Sequence, residues 1–214
     1  MGLHLESVVK RAFVSDDRFF VAPCWGNVVD VDGTAIPSSG PGPFGSVDGL
    51  VFLSSAIPKH GSAVLEIKNK REWLYPESRF LWDIISNGYT VEAVPVFLTR
   101  KIYRSTFVYV RASLRCIGIQ LQNQLVPAHL EPDLGSCRTK DSLGFKDLLF
   151  TDDPPPHMLQ AIGVLANQLP ACRERMLRIR GAVLPVLDEL ADKRTLKSVH
   201  QQRYDELQDV LTNL

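Results

Sequence analysis

Leu50-Val51-Phe52-Leu53 and Ala63-Val64-Leu65-Glu66-Ile67-Lys68 limit most strongly what this chain can fold into. Both runs have strand length, and Leu50–Leu53 and 63–65 are apolar at consecutive positions, so both faces want burial. That pattern belongs to a sheet covered by helices on its two sides. Charge stands at one end of each run: Asp48 before the first, Glu66 and Lys68 at the close of the second. Strand side chains alternate, which puts Glu66 and Lys68 on one face and Leu65 and Ile67 on the other. If the runs pair as an antiparallel hairpin, Asp48 stands beside Glu66 and Lys68. Charged groups at the end of a buried strand cost free energy unless something compensates them.

The surrounding periodicity predicts an α/β fold. Residues 3–14 read as an amphipathic helix with Leu5, Val8, Val9 and Ala12 or Phe13 as its apolar stripe. Residues 18–23 read as a strand, and 24–46, rich in Gly, Pro and Ser, as a loop that is either a flap or a short excursion of strand. After the hairpin, Pro76 to Gly88 carries helix start and stop signals around Phe80, Leu81, Ile84 and Ile85. Residues 91–99 read as a strand. Pro95, lacking a donor, argues for an edge position, a bulge or a start near Val96. Strand–helix–strand order makes 63–68 and 94–99 parallel neighbours. A helix over 103–116, a strand over 117–126 and an irregular stretch over 127–156 follow. Residues 157–214 read as helix, broken near Pro170 and weakened near Pro185. The division expected is a core over 1–150 and a helical C-terminal extension over 151–214.

Asp48 and Glu66 offer two carboxylates, and the backbone carbonyl of Ile67 a third oxygen. Such donors suit Mg²⁺, with Mn²⁺ as a substitute; Mg²⁺ binds through a few oxygens and otherwise keeps water. Lys68 beside them can orient or deprotonate a water, or face negative charge on a phosphate. Phosphodiester hydrolysis needs such parts: a nucleophile formed at neutral pH and positive charge toward the pentavalent phosphorus.

Asp48 on one strand, then Glu66-Ile67-Lys68 on the next, then helix and parallel strand, resembles the PD-(D/E)xK nuclease superfamily, over roughly residues 3–125. The residue before Asp48 is Val47, where the family's name has proline; proline supplies no ligand. The resemblance implies a restriction-endonuclease-like mixed sheet flanked by helices, with a core like that of Holliday-junction resolvases. It also implies a Mg²⁺-dependent endonuclease. Catalysis would fall to Asp48, Glu66 and Lys68, and metal binding to Asp48, Glu66 and the Ile67 carbonyl. Glu6, at the position where some branches carry a further metal-site glutamate, would assist through water.

Charge and cysteines bound the partners. Twenty-four basic and 24 acidic side chains leave a formal net charge of zero, so a nucleic-acid surface has to be a local patch. Lys70 and Arg71, next to Trp73 and Tyr75, make one candidate patch; Arg79, Arg100, Lys101 and Arg104 are others, with solvated loops or a pair between Arg79 and Asp83 as the plainer reading. Arg173, Arg175, Arg178 and Arg180 form the most basic stretch, either a binding helix or a solvated one. Val183, Leu184, Val186, Leu187 and Leu190 permit a helical dimer interface. Cys24, Cys116, Cys137 and Cys172 have no zinc spacing and fit reduced thiols. The five histidines show no ligand spacing, the serines no nucleophile context and the loop glycines no phosphate-loop context. Without a signal-peptide pattern or an apolar run of about 18 residues, a cytoplasmic location and no membrane partner are expected.

The function expected is hydrolysis of phosphodiester bonds, in DNA before RNA, in repair, recombination, restriction or phage defence. Zero net charge favours delivery by a targeting partner protein or by a homodimer. A nucleic-acid-binding or assembly protein with a vestigial site is the alternative, and an unrelated α/β protein with a chance motif is a third.

Overall fold

The computed structural model describes residues 2–22, 25, 28–31, 33–36, 47–55, 61–69, 74–75, 79–134, 147–191 and 197–213. Helix α1 (Gly2–Val14) leads into strand β1 (Phe19–Val21). Two short strands, β2 (Asp30–Val31) and β3 (Thr34–Ala35), form a small hairpin, the excursion of strand allowed for within 24–46. Strands β4 (Gly49–Leu53) and β5 (Ser62–Lys68) follow, then α2 (Arg79–Thr90), β6 (Val94–Thr99), α3 (Arg104–Ala112) and β7 (Ile117–Gln120). The principal sheet runs β1-β4-β5-β6-β7. It is mixed: β4 runs antiparallel to both of its neighbours, β1 and β5, while β5, β6 and β7 are parallel.

Each face of the sheet is apolar and covered. Val51, Leu65, Val96 and Ile119 point toward α1 and the first half of α5 (Pro156–Ala191), where Val8, Phe13, Ile162 and Leu169 are buried. Leu50, Val64 and Phe97 point the other way, toward α2, the second half of α5 and α6 (Lys197–Thr212), packing with Trp82, Ile85, Val183 and Leu207. At 36 residues α5 is about 54 Å long, enough to pass from one face to the other.

Several expectations are corrected. Pro95 lies in a central, fully buried strand. It is tolerated because the pairing of β6 with β7 begins only at Val96, and because its ring fills the space that Gly88 leaves open. A Cβ at Gly88 would stand 2.6 Å from Pro95 Cγ, so this glycine permits a close approach inside α2 and does not end the helix. The expected strand over 117–126 divides at Gln122, whose φ of 64° turns the chain. Its second part, β8 (Gln124–Val126), pairs in parallel with β9 (Leu148–Phe150), a strand inside the stretch expected to be irregular. That stretch also holds a 3-10 turn (Ala128–Leu130) and the short α4 (Glu131–Leu134). Finally, α5 runs unbroken through Pro170 and Pro185. Both prolines are exposed, and the buried row Met158, Ile162, Leu165, Leu169, Met176, Val183 and Leu187 holds the helix against the core despite each missing N–H.

The arginine-rich part of α5 has a structural use. Arg173 is buried and donates from Nε to the Glu92 carbonyl at 2.9 Å; Arg180 donates from Nε to the Tyr89 carbonyl at 2.6 Å and from its guanidinium to Thr90. These are carbonyls at or just past the C-terminal end of α2, where cations are favoured. Arg178 pairs with Glu174 on the solvent side. Val183, Val186 and Leu187, weighed as a dimer interface, are buried in the chain's own core.

Candidate active site

The acidic set assembles where β4 begins and β5 ends. The Asp48 N–H donates to the Leu65 carbonyl at 3.0 Å, which ties this residue to β5 just outside the regular β4 ladder. Its side chain turns back onto the same strand: Oδ2 accepts the Ile67 N–H at 2.7 Å and lies 3.4 Å from Lys68 Nζ. Lys68 Nζ also sits 2.5 Å from Glu66 Oε1. Asp48, Glu66 and Lys68 are thus one cluster, as expected from strand alternation, with side-chain exposures of 22%, 13% and 26%. On the other face of the sheet, Gly49 admits the Trp25 ring, from which a Cβ there would stand 2.8 Å.

Burial dominates the electrostatics. It pushes the Glu66 carboxyl up to about 7; Lys68 opposes that shift, while the charges of Asp48 and Asp83 add to it. Burial by itself would lower Lys68, but the carboxylates of Glu66 and Asp48 outweigh it and hold the ammonium above its ordinary value. Glu6 on α1 is raised by burial and by Asp48, and lowered by Lys68, so its carboxyl lies within electrostatic reach of the cluster. Asp83, on α2, belongs to the same field. The sequence offered it only as an ion-pair partner for Arg79, because nothing in local spacing tells which way a helix face turns toward a sheet.

Metal fit follows from the donors. Among the described residues, no group of three or more His, Cys, Asp or Glu side chains converges as a ligand cluster. Two carboxylates on neighbouring strands do converge, with the Ile67 carbonyl between Glu66 and Lys68, an all-oxygen set. Mg²⁺ is commonly held by one or two carboxylates together with substrate phosphates, so the chemistry fits a hard divalent cation.

The expected nucleic-acid contacts separate. Arg100 is buried and makes a bidentate pair with Asp147, Nε to Oδ2 at 2.5 Å and a second nitrogen to Oδ1 at 2.7 Å. That pair anchors the segment leading into β9, since the Asp147 carbonyl accepts from Gln124 N. Lys101 Nζ is 3.9 Å from the same carboxylate and is partly exposed. Lys70, Arg71 and Trp73 lie outside the described residues, as does the side chain of Arg79. Tyr75 does reach the surface: it is 45% exposed and packs 5.2 Å from the ring of Tyr103, 46% exposed. Leu74 bridges Ile102 in parallel, which places this ring pair past the carboxyl ends of β5 and β6, the end that carries Lys68. His4 and His157 bond to the Thr151 and Leu121 carbonyls and act as structural ties.

Comparison with protein families, with curated proteins and with solved structures finds no match to this chain.

Proposed function

We propose that this chain is a metal-dependent nuclease that hydrolyses phosphodiester bonds, with DNA as the substrate, built on a restriction-endonuclease-like core of the PD-(D/E)xK superfamily. One observation carries the reading: Asp48 and Glu66, from adjacent antiparallel strands, meet around Lys68 at one end of a buried sheet. The element order supports it, since a helix, the Asp strand, the Glu-x-Lys strand, a helix and a parallel strand follow one another.

Asp48, Glu66 and the Ile67 carbonyl would hold Mg²⁺ or Mn²⁺, with Glu6 assisting through water. When bound, the ion supplies positive charge to the phosphate and lowers the pKa of water. Lys68 is a cation at neutral pH, its value raised by its two carboxylate neighbours. It therefore serves as a hydrogen-bond donor and a fixed positive charge, orienting the attacking water and facing the non-bridging phosphate oxygens. Glu66, at about 7, is poised to exchange a proton near neutrality. Tyr75 and Tyr103 would offer a stacking surface to a base near the scissile bond.

The decisive experiment is a cleavage panel with Mg²⁺ and with Mn²⁺ on supercoiled, linear, single-stranded, branched and RNA substrates. Asp48→Ala, Glu66→Ala and Lys68→Ala are run alongside. Cleavage that requires the metal and disappears in each variant, with circular dichroism unchanged, is expected. Full activity in any of the three ends this assignment.

A nucleic-acid-binding protein with a vestigial site is favoured by one observation, that Lys68 already contacts both carboxylates. Binding of nucleic acid without turnover on every substrate, and no Mg²⁺ heat in a calorimetric titration, would decide for it.

A further inference from the structure

On the far side of the sheet from β1, a groove of about 1020 Å³ runs along β7 between α3 and the first half of α5. None of Asp48, Glu66 or Lys68 lines it. Among the described residues strand β7 is a sheet edge, and its orientation can be read from its ladder. The Leu121 N–H donates to the Thr99 carbonyl, so the alternate residues Ile117, Ile119 and Leu121 turn their backbone groups toward β6. Gly118 and Gln120 then turn theirs outward, and both line the groove. The strand, Ile-Gly-Ile-Gln, carries no proline or charge of the kind that blunts an exposed edge.

The groove is also strongly positive. Arg104, Arg111, Arg115 and Arg175 line it, with no Asp or Glu among the described lining residues. Among the described residues, none of the four makes an ion pair. Three of them are gathered at one end: Arg175, Arg111 and Arg115 all act on the thiol of Cys172, pulling it down against the larger upward push of burial. Arg115 holds a left-handed φ of 53°, and its Nε is buried with no hydrogen-bond partner among the described residues. Three cations within electrostatic reach of one thiol, with no Asp or Glu among the described lining residues, make an end of the groove that a carboxylate-bearing ligand would complement.

We propose that this groove binds an extended acidic segment of a partner protein, which adds as a strand to the free edge of β7 and seats its carboxylates against Arg111, Arg115 and Arg175. Main-chain groups of Gly118 and Gln120 supply the strand bonds, and carboxylate–guanidinium pairs fix the end. A peptide suits the remaining lining better than a nucleic-acid strand. Val164, 46% exposed, offers an apolar contact for side chains beside the largely buried Ile117 and Ile119, whereas Phe107 is the one benzene ring among the described lining residues for bases to stack on. The inference stands apart from the nuclease reading and survives its failure.

The test pans a displayed library of random linear peptides against the full chain, then measures the enriched peptide by fluorescence anisotropy. Enrichment of peptides with clustered Asp and Glu is expected. Their affinity should fall about tenfold or more in Arg111→Gln/Arg175→Gln, and stay unchanged in Arg178→Gln, an exposed arginine outside the groove. Gln120→Pro should abolish binding while leaving the β6–β7 bonds in place; if that variant does not fold, the arginine pair decides. The proposal is overturned if no acidic peptide is enriched, or if binding persists in the double variant. It is overturned equally if the double variant abolishes binding of a labelled oligothymidylate that the peptide displaces, which makes the groove a nucleic-acid site, or abolishes self-association of the chain, which makes a second copy the occupant.

Discussion

Glu66 answers to two opposing influences. Burial resists its charge, and the Lys68 ammonium favours it. A carboxyl raised from 4.5 to about 7 binds its proton more tightly in the folded chain than in the unfolded one. Its contribution to stability is therefore fully present below 4.5 and is lost as pH rises through about 7. Glu6 shifts in the same direction, and Lys68, raised from 10.5, matters only in alkali. Without divalent cations, the unfolding temperature should decline between pH 4.5 and about 7, and Glu66→Gln should flatten that decline in a thermal-melt series. Under the proposed metal role, proton and metal would compete for the same oxygens, so calorimetric Mg²⁺ affinity should weaken as pH drops through about 7. The charged cluster was legible in the sequence because strand alternation alone relates Glu66 to Lys68, and pairing relates both to Asp48. Asp83 was not, since its approach depends on how α2 rolls against the sheet.

At the scale of elements, the close approaches decide more than the propensities do. Gly88 and Pro95 form a matched pair between α2 and β6, with a Cβ at Gly88 also 2.7 Å from the Ala93 carbonyl. Backbone cannot move aside as a side-chain tip can, so Gly88→Ala should destabilise the chain by about 1–3 kcal/mol in a denaturant titration, although alanine is the better helix former. The sequence put Gly88 after the end of a helix, and Pro95 at a strand edge, at a bulge or before a strand starting near Val96, because each residue is judged there by its own backbone habits. Their mutual fit is a tertiary fact. The same holds for the arginines of α5, whose spacing says only that they cannot share one face. Arg173→Ala removes a buried guanidinium bonded to the Glu92 carbonyl and should cost about 1–3 kcal/mol. Arg178→Ala removes an exposed pair with Glu174 and should cost about 0.5 kcal/mol or less, measured side by side.

At the scale of the whole molecule, the strands and their crossover followed from apolar pattern, while the reach of α5 did not. Periodicity shows that a helix has an apolar stripe and is silent on which surfaces the stripe meets. Here its first half buries Met158, Ile162 and Leu165 on one face of the sheet, and its second half buries Met176, Val183 and Leu187 on the other. A chain ending at residue 155 would leave apolar surface bare on both faces. It should show no cooperative unfolding transition, which circular dichroism against denaturant would establish. During synthesis the strands leave the ribosome well before α5 does, yet neither face of the sheet can be fully covered until that helix arrives. The nascent chain therefore spends the time needed to translate residues 156–191 with both faces of its sheet only partly covered, by α1 on one side and α2 on the other, and that is the interval in which its apolar surface is most open to aggregation.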